Sequence, residues 1–297
     1  MAHVPVLLKE VLEMLDPKPG EVMVDATVGA AGHGLQIAKM LCPRGSFVGI
    51  DWDWQRLEMA KEIFEKEDLD LRKLVLVEDN YAKLGEILRD ESLEKIDGLL
   101  LDLGFSSDQL GEGRGFAFKG KEEPLKMTYS ESALPAYQIL PQLGKEKLIE
   151  IIREFSDERY APRIARAIME RIHQGPPIVT NKDLAEVVRR AVTKNYERGR
   201  IDPATRTFMA VRMYVNNELD NIRTLLSSLE EVVSPGGKVV IISYHSKEDA
   251  IIKDFFKDMV GEGKAKLLTK KVIRASKEEV EANPRSRSAK LRAIQIQ

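Results

Sequence analysis

Four apolar runs in the first third of the chain limit what it can fold into. They read EVMVDAT (21–27), SFVGIDWD (46–53), KLVLVEDNY (73–81) and DGLLLDLG (97–104). Each is short, rich in β-branched or leucine residues, and apolar at consecutive rather than alternate positions. Such a strand is covered on both faces. Helical spacing over 35–41 and in QRLEMAKEIFEK (55–66) alternates with the strands, which makes the sheet parallel and doubly covered. Ligands of open α/β sheets bind beyond the carboxyl ends of the strands. Acidic and polar residues gather at those ends here, so a site is expected there.

A helix is expected over residues 4–15, from Val4, Leu7, Leu8, Val11, Leu12 and Leu15, with PKPG (17–20) stopping it. After residue 114 the rhythm changes. KEKLIEIIREF (145–155), PRIARAIMERI (162–172) and NKDLAEVVRRAV (181–192) all have helical periodicity, and no strand pattern intervenes. Thr180 or Asn181 caps the last of these, with Asp183 in its first turn. Asp202–Pro203 reads as N-cap and first residue of a further helix. Its apolar positions continue from Phe208 through Leu219 to Leu229, which predicts one long helix returning to the sheet. The strand SPGGKVVIISYHS (234–246), the helix KEDAIIKDFFKDMV (247–260) and two closing strands, AKLLTKKVI (265–273) and KLRAIQIQ (290–297), complete the pattern. The expectation is an α/β, Rossmann-like sheet domain, 1–114 plus 216–297, interrupted by an all-helical insert, 115–215.

The chain has 297 residues and is 43% hydrophobic, enough for a sizeable core in such a layout. A net charge of −2 excludes a uniformly basic nucleic-acid binder. The charge is uneven, however: residues 115–215 carry 18 basic and 13 acidic side chains, and 264–292 carry ten basic and three acidic. Arg189, Arg190, Lys194, Arg198, Arg200 and Arg206, with NPRSRSAKLR (283–292), suit a phosphate track. Cys42 is the single cysteine, which fits a reducing compartment. Four histidines without clustered cysteines give no metal-ligand spacing. The amino-terminal segment carries acidic residues inside its apolar pattern, unlike a signal peptide, and no apolar run spans a bilayer. A cytoplasmic protein is expected, with no membrane or metal role.

The loop DATVGAAGHG (25–34) follows the first strand. A dinucleotide enzyme would place G-x-G-x-x-G here to hold a pyrophosphate; the glycines instead fall at 29, 32 and 34. S-adenosylmethionine has no phosphate and tolerates a looser glycine turn, with Gly29, Gly32 and Gly34 letting backbone approach ligand. Asp51 lies 19 residues after Gly32, where a ribose-binding acid belongs. An adenine fits against Tyr81 and near Asn80. DLGFSSDQL (102–110) follows the fourth strand and offers Asp102, a close-approach Gly104 and Gln109 beside the reacting centre. If the strand after the insert neighbours the fourth, Ser243 and His245 lie close to Asp102, with a helix cap as the alternative role for His245. Phe105, Phe116, Phe118 and Tyr244 are candidates to stack an extruded base. The proton released on methylating an amine falls to Asp102, His245 or water. An RNA-binding factor without catalysis would need neither Asp51 nor the DLG turn.

HVPVLLKEVL, DATVGAAGHG, GIDWD, DLGFSSDQL, RGFAF, ERYAPRIARAI, DPATRTFMAVRMYVNNEL, PGGKVVIISYHSKED and NPRSRSAKLR occur in order over nearly the whole chain. Together they resemble the bacterial 16S ribosomal RNA cytosine-N4 methyltransferases, the MraW family. The resemblance implies a class I methyltransferase sheet with S-adenosylmethionine on Ala31, Gly32, His33, Asp51, Tyr81, Asp102 and Gln109. It also implies methylation of a cytidine amine in the decoding region of 16S ribosomal RNA, within the small ribosomal subunit. Lys126 and Thr128 depart from the family pattern, which has an acid and an arginine there, and Ala117 stands where serine is common.

Overall fold

The computed structural model describes residues 5–104, 113–193 and 196–297. Its strands are β1 (Val22–Asp25), β2 (Ser46–Asp51), β3 (Lys73–Glu78), β4 (Ile96–Asp102), β5 (Val233–Ser243), β6 (Ala265–Leu267) and β7 (Lys290–Ile296). They form one seven-stranded sheet in the order β3-β2-β1-β4-β5-β7-β6. The first five run parallel, and β7 is antiparallel to both β5 and β6. The order reverses at β1 and β4, the topological switch point of a doubly wound sheet. This is the expected Rossmann-like architecture. The second closing strand forms over nearly its full expected span, whereas the first is only three residues long.

The chain's helices, in order, are α1 (Leu8–Leu15), α2 (Gly32–Leu41), α3 (Trp54–Phe64), α4 (Leu84–Asp90), α5 (Ala136–Ile139), α6 (Lys145–Ser156), α7 (Ala161–Gln174), α8 (Asn181–Ala191), α9 (Ala204–Val215), α10 (Glu218–Val232), α11 (Ser246–Gly261) and α12 (Lys277–Ala282). The chain divides into two units, Met1–Gly104 with Leu219–Gln297, and Phe105–Glu218.

In the sheet unit, α1, α2 and α3 pack Val11, Leu15, Ile37, Leu41, Ala60 and Phe64 into a common core. The same core takes Met23, Phe47, Leu100, Val240, Ile242 and Leu291 from the strands. That burial explains the unbroken apolar runs: β4 and β5 are covered on both sides, and Leu99, Leu100, Val239 and Val240 are all inaccessible. The amino-terminal helix begins at Leu8 rather than Val4, because Leu7 takes a left-handed conformation at its start.

The helical unit is held by polar clamps as much as by its apolar faces. Thr180 caps α8 in a reciprocal capping box with Asp183, as its sequence predicts. Asn181 accepts from the Glu123 amide (3.0 Å) and donates to the Ala117 and Lys121 carbonyls. Asn216 accepts from the Tyr129 amide (3.0 Å) and donates to the Met127 and Arg212 carbonyls. These two asparagines pin the 114–130 segment, which lacks regular structure of its own. α9 starts at Ala204, one residue later than expected, with Pro203 rather than Asp202 in the N-cap position, although the Asp202 carboxylate still accepts from the Ala204 amide (2.9 Å).

The long helix expected from Phe208 to Leu229 is two helices. α9 stops at Val215, Asn217 adopts φ 50°, and α10 starts at Glu218. The apolar spacing runs through the break because Val215 and Leu219 are both buried. Periodicity alone therefore cannot see it; the Asn216–Asn217 pair is the signal, since asparagine tolerates the left-handed region and bonds to nearby backbone.

Candidate functional site

The loop after β1 is tied to its two neighbouring strands before it meets any ligand. The Ala26 amide donates to the Leu100 carbonyl of β4, and the Val28 amide to the Ile50 carbonyl of β2, both at 2.9 Å. Gly29 turns the chain at φ +51°, and its amide donates to the Asp51 carboxylate at 3.0 Å. Ala31, left-handed at φ 58°, then starts α2, which has no side-chain cap. The first-turn amides of α2 lack partners within the helix, so they are offered outward. Two of the three loop glycines are also required by the protein's own packing. A Cβ on Gly32 would lie 2.9 Å from the Pro5 ring, and one on Gly34 would lie 2.8 Å from Phe47.

Asp51, at the end of β2, accepts from the Gly29 amide and from the Asp53 amide (2.9 Å). Burial nonetheless raises its carboxyl to about 6. Asp25, at the end of β1, is 1% exposed. Burial pushes it to about 8, with the charges of Asp102 and Asp51 adding to the rise. Sequence reasoning passed over Asp25, although it opens the quoted loop.

Asp102 lies at the end of β4, opposite Ile242 of β5, so the two strands are neighbours as the sequence reading required. Its amide donates to the Thr27 hydroxyl at 2.7 Å, and its Oδ1 accepts from the Tyr244 hydroxyl at 2.9 Å. Tyr244 is thus a partner of Asp102; burial and that carboxylate hold its phenol well above the ordinary range. Gly104 makes room for the Tyr244 ring, which a Cβ would meet at 2.7 Å. The His33 ring is nearly buried, with Nε2 2.9 Å from the Val6 carbonyl oxygen and Nδ1 3.8 Å from Asp102 Oδ2. A carbonyl only accepts, so Nε2 carries the hydrogen and Nδ1 faces Asp102.

His245 is the N-cap of α11. Its Nδ1 accepts from the Glu248 amide, and its Nε2 lies 2.9 Å from Glu248 Oε1. The structure therefore turns this ring onto its own helix, and brings Tyr244 to Asp102. Tyr81 sits on a short turn capped by Asn80, with its ring centre 6.2 Å from that of Trp52. Trp52, which the sequence reading did not single out, directly follows Asp51. Gln109 and Phe105 lie outside the described residues.

Within the helical unit, Phe116 is buried and stacked on Tyr129 at 5.3 Å, while Phe118 meets Phe208 edge-on at 5.4 Å. Phe116 is thereby a packing residue. The basic residues also divide. Arg189 forms a two-point ion pair with Asp202, Arg190 pairs with Glu186, and Arg206 pairs with Glu197 at 2.9 Å. Lys194 lies outside the described residues. In the sheet unit, Lys290 and Arg292 both bind Asp249.

An acidic, partly dehydrated strand edge suits a cationic ligand. Asp25, Asp51 and Asp102 interact there; burial is the main cause of the rise at Asp25, and a sulfonium or ammonium group would offset the charge repulsion that adds to it. The uncapped α2 offers amides for a carboxylate, and Asp51 an acceptor for ribose hydroxyls. The residues present therefore fit S-adenosylmethionine, and sheet and site together define a Rossmann-like, class I, S-adenosylmethionine-dependent methyltransferase. The family model described as the MraW methylase family matches residues 1–297. The chain belongs to that family. Its relatives include proteins named ribosomal RNA small subunit methyltransferase H. The one from Thermotoga neapolitana is 43% identical over 99% of this chain and 96% of its own. The one from Syntrophotalea carbinolica is 41% identical over 98% and 97%. A third, from Koribacter versatilis, is 42% identical over 98% and 93%.

Proposed function

We propose that this protein methylates the exocyclic N4 amine of a cytidine in the decoding, P-site region of 16S ribosomal RNA, using S-adenosylmethionine. The full-length match to relatives named for the small ribosomal subunit supports the RNA substrate, with the small subunit as the particle on which it acts. That substrate puts its work in the cytoplasm; no helix among the described residues is long and apolar enough to cross a membrane. In this reading the sheet unit is the cofactor and catalytic domain and the helical unit recognises RNA.

When bound, S-adenosylmethionine supplies a methyl group already made electrophilic by its sulfonium. Asp51 takes the ribose hydroxyls, and the outward amides of Gly32 and His33, following Ala31, take the carboxylate. Tyr81 flanks the adenine, and Gln109 completes the set that the family resemblance implies. The observation that carries the catalytic reading is the anchoring of Asp102. Its amide is fixed by Thr27 and its Oδ1 by Tyr244, so the carboxylate is held in one orientation.

Cytosine N4 is a weak nucleophile because its lone pair is shared with the ring. A fixed carboxylate accepts one N–H of the amine and turns that lone pair out of conjugation. The same carboxylate then takes the surplus proton. His245, engaged by Glu248 at the start of α11, is left with a supporting role in that strand-end turn.

The test is mass spectrometry of nucleosides from small subunits lacking the modification, after incubation with protein and cofactor. N4-methylcytidine from the decoding region is the expected product; a methyl group on another base, or none, refutes the reading. With saturating cofactor, Asp102→Ala should lower turnover by about 10²–10⁴-fold. Near-normal turnover would remove Asp102 from the chemistry.

A further inference from the structure

Residues 158–163 and 196–206 of the helical unit bring together five arginines and two glutamates. Glu158 is fully buried: it accepts from the Tyr196 hydroxyl and the Tyr160 amide, and lies 3.7 Å from Arg206. Glu197 binds Arg206 at 2.9 Å. Arg206 is thus occupied in bridging two acids and fixing the fold of this corner. Around that framework Glu197, Arg198 and Gly199 all have positive φ (44°, 54° and 73°), a turn in which Arg198 and Arg200 are exposed. Arg159 lies over the Tyr160 ring at 4.9 Å, with Arg163 at 5.8 Å from the same ring. Arg159, Glu197, Arg198 and Arg200 line a cleft of about 460 Å³.

The contrast with neighbouring arginines is what points to a ligand. Arg189 and Arg190 are each paired with a carboxylate. Among the described residues, Arg198 and Arg200 face the cleft without one, and Arg159 comes no closer than 3.9 Å to Glu197. Five guanidinium groups stand against Glu158, Glu197 and Asp202, and Asp202 is already paired with Arg189, so the corner is positive. Guanidinium forks match phosphate oxygens two at a time, and the volume is enough for a phosphate with adjoining sugar. We propose that this cleft seats a backbone phosphate of the RNA strand, gripped by Arg198 and Arg200 from one side and Arg159 from the other. The inference rests on the reading that the substrate is ribosomal RNA, and adds a place on the helical unit where that RNA is held. The ERYAPR stretch, otherwise without a role, acquires one through Arg159.

The experiment is a titration of fluorescent 16S RNA fragment by the full-length protein between about 50 and 200 mM salt. For Arg198→Gln/Arg200→Gln, the slope of log affinity against log salt should become shallower by about 0.7–0.9, the contribution of one phosphate contact. Arg159→Gln, on a different element, should lower it by about half as much. Glu197→Gln should tighten binding, since it removes the opposing charge from the cleft and releases Arg206. Arg89→Gln/Arg223→Gln removes the same two charges from the sheet unit and should leave the slope unchanged. Melting temperatures establish that each variant is folded. An unaltered slope in both cleft variants, or an equal change in the sheet-unit control, overturns the seat. The same RNA is assayed for N4-methylcytidine with wild-type protein. Methylation with an unaltered variant slope sinks only the seat. Cleft-dependent binding without methylation sinks only the functional reading.

Discussion

The two units handle buried charge in opposite ways. In the sheet unit, Asp25 and Asp51 stand at neighbouring strand ends, and their carboxyls are raised to about 8 and about 6. In the helical unit, buried acids come with donors: Glu218 takes a two-point ion pair from Arg212, and Glu158 takes Tyr196. One region holds polar groups in an environment that improves when a cation arrives. The other has paired its buried acids internally, and the charge it leaves uncompensated is that of the exposed arginines in the 196–200 turn. The lesson is that a candidate site is marked less by the presence of charged residues than by charge the fold leaves uncompensated.

The largest effect that would sharpen this contrast is on Asp25. Below about pH 4 its carboxyl is protonated in both folded and unfolded chains. As pH rises from about 4 to 8, the unfolded chain releases that proton while the fold retains it, so stability falls across this window. Asp25→Asn has no such proton and should be more stable than wild type at pH 8, by an amount on the order of several kcal/mol. Denaturant unfolding at pH 5 and pH 8 reads it; an equal difference at both pH values would show that Asp25 is not a strained acid. In the helical unit the expected sign is reversed. Asn216→Ala should destabilise by roughly 3 kcal/mol, because it strands the buried Tyr129 amide and Met127 carbonyl. A loss below about 1 kcal/mol would mean that the 114–130 segment does not depend on this clamp.

Asp51 offers a smaller effect tied to function. Its ionised form should bind the ribose, so affinity for S-adenosylhomocysteine should weaken as pH falls through about 6. Asp51→Asn should bind about 2 kcal/mol less tightly and show a flatter profile. Calorimetry that finds the same pH dependence in the variant would move the ribose elsewhere. Smallest is Thr180→Ala, which removes the α8 cap and should lower stability by about 1 kcal/mol with cofactor affinity unchanged.

Most of the sheet was legible because its strands are buried on both faces and so are apolar without a break. The helices of the insert were legible from their one-sided apolar spacing, and the α8 cap from Thr180 and Asp183. What escaped depended on contacts distant in sequence or on local geometry that periodicity does not record. Tyr244 meets Asp102 across 142 positions, and only the pairing of β4 with β5 reveals it. His245 was legible as a cap or a catalytic group, and nothing in the residue itself chose between them. The packing demand on Gly32 and Gly34 escaped because their partners, Pro5 and Phe47, lie on other segments. The break between α9 and α10 was hidden by apolar positions that continue in register across it.

The pairing of β4 with β5 has a consequence during synthesis. About 130 residues separate Asp102 from Val233, so at about 5–20 residues per second the ribosome takes on the order of ten seconds to deliver the second strand after the first. For that interval the nascent sheet ends at β4, an apolar strand whose unpaired edge can recruit other chains. Self-contained folding of the intervening helices would keep their own apolar faces off that edge until its partner arrives, which gives the order of segments along the gene a bearing on yield as well as on shape.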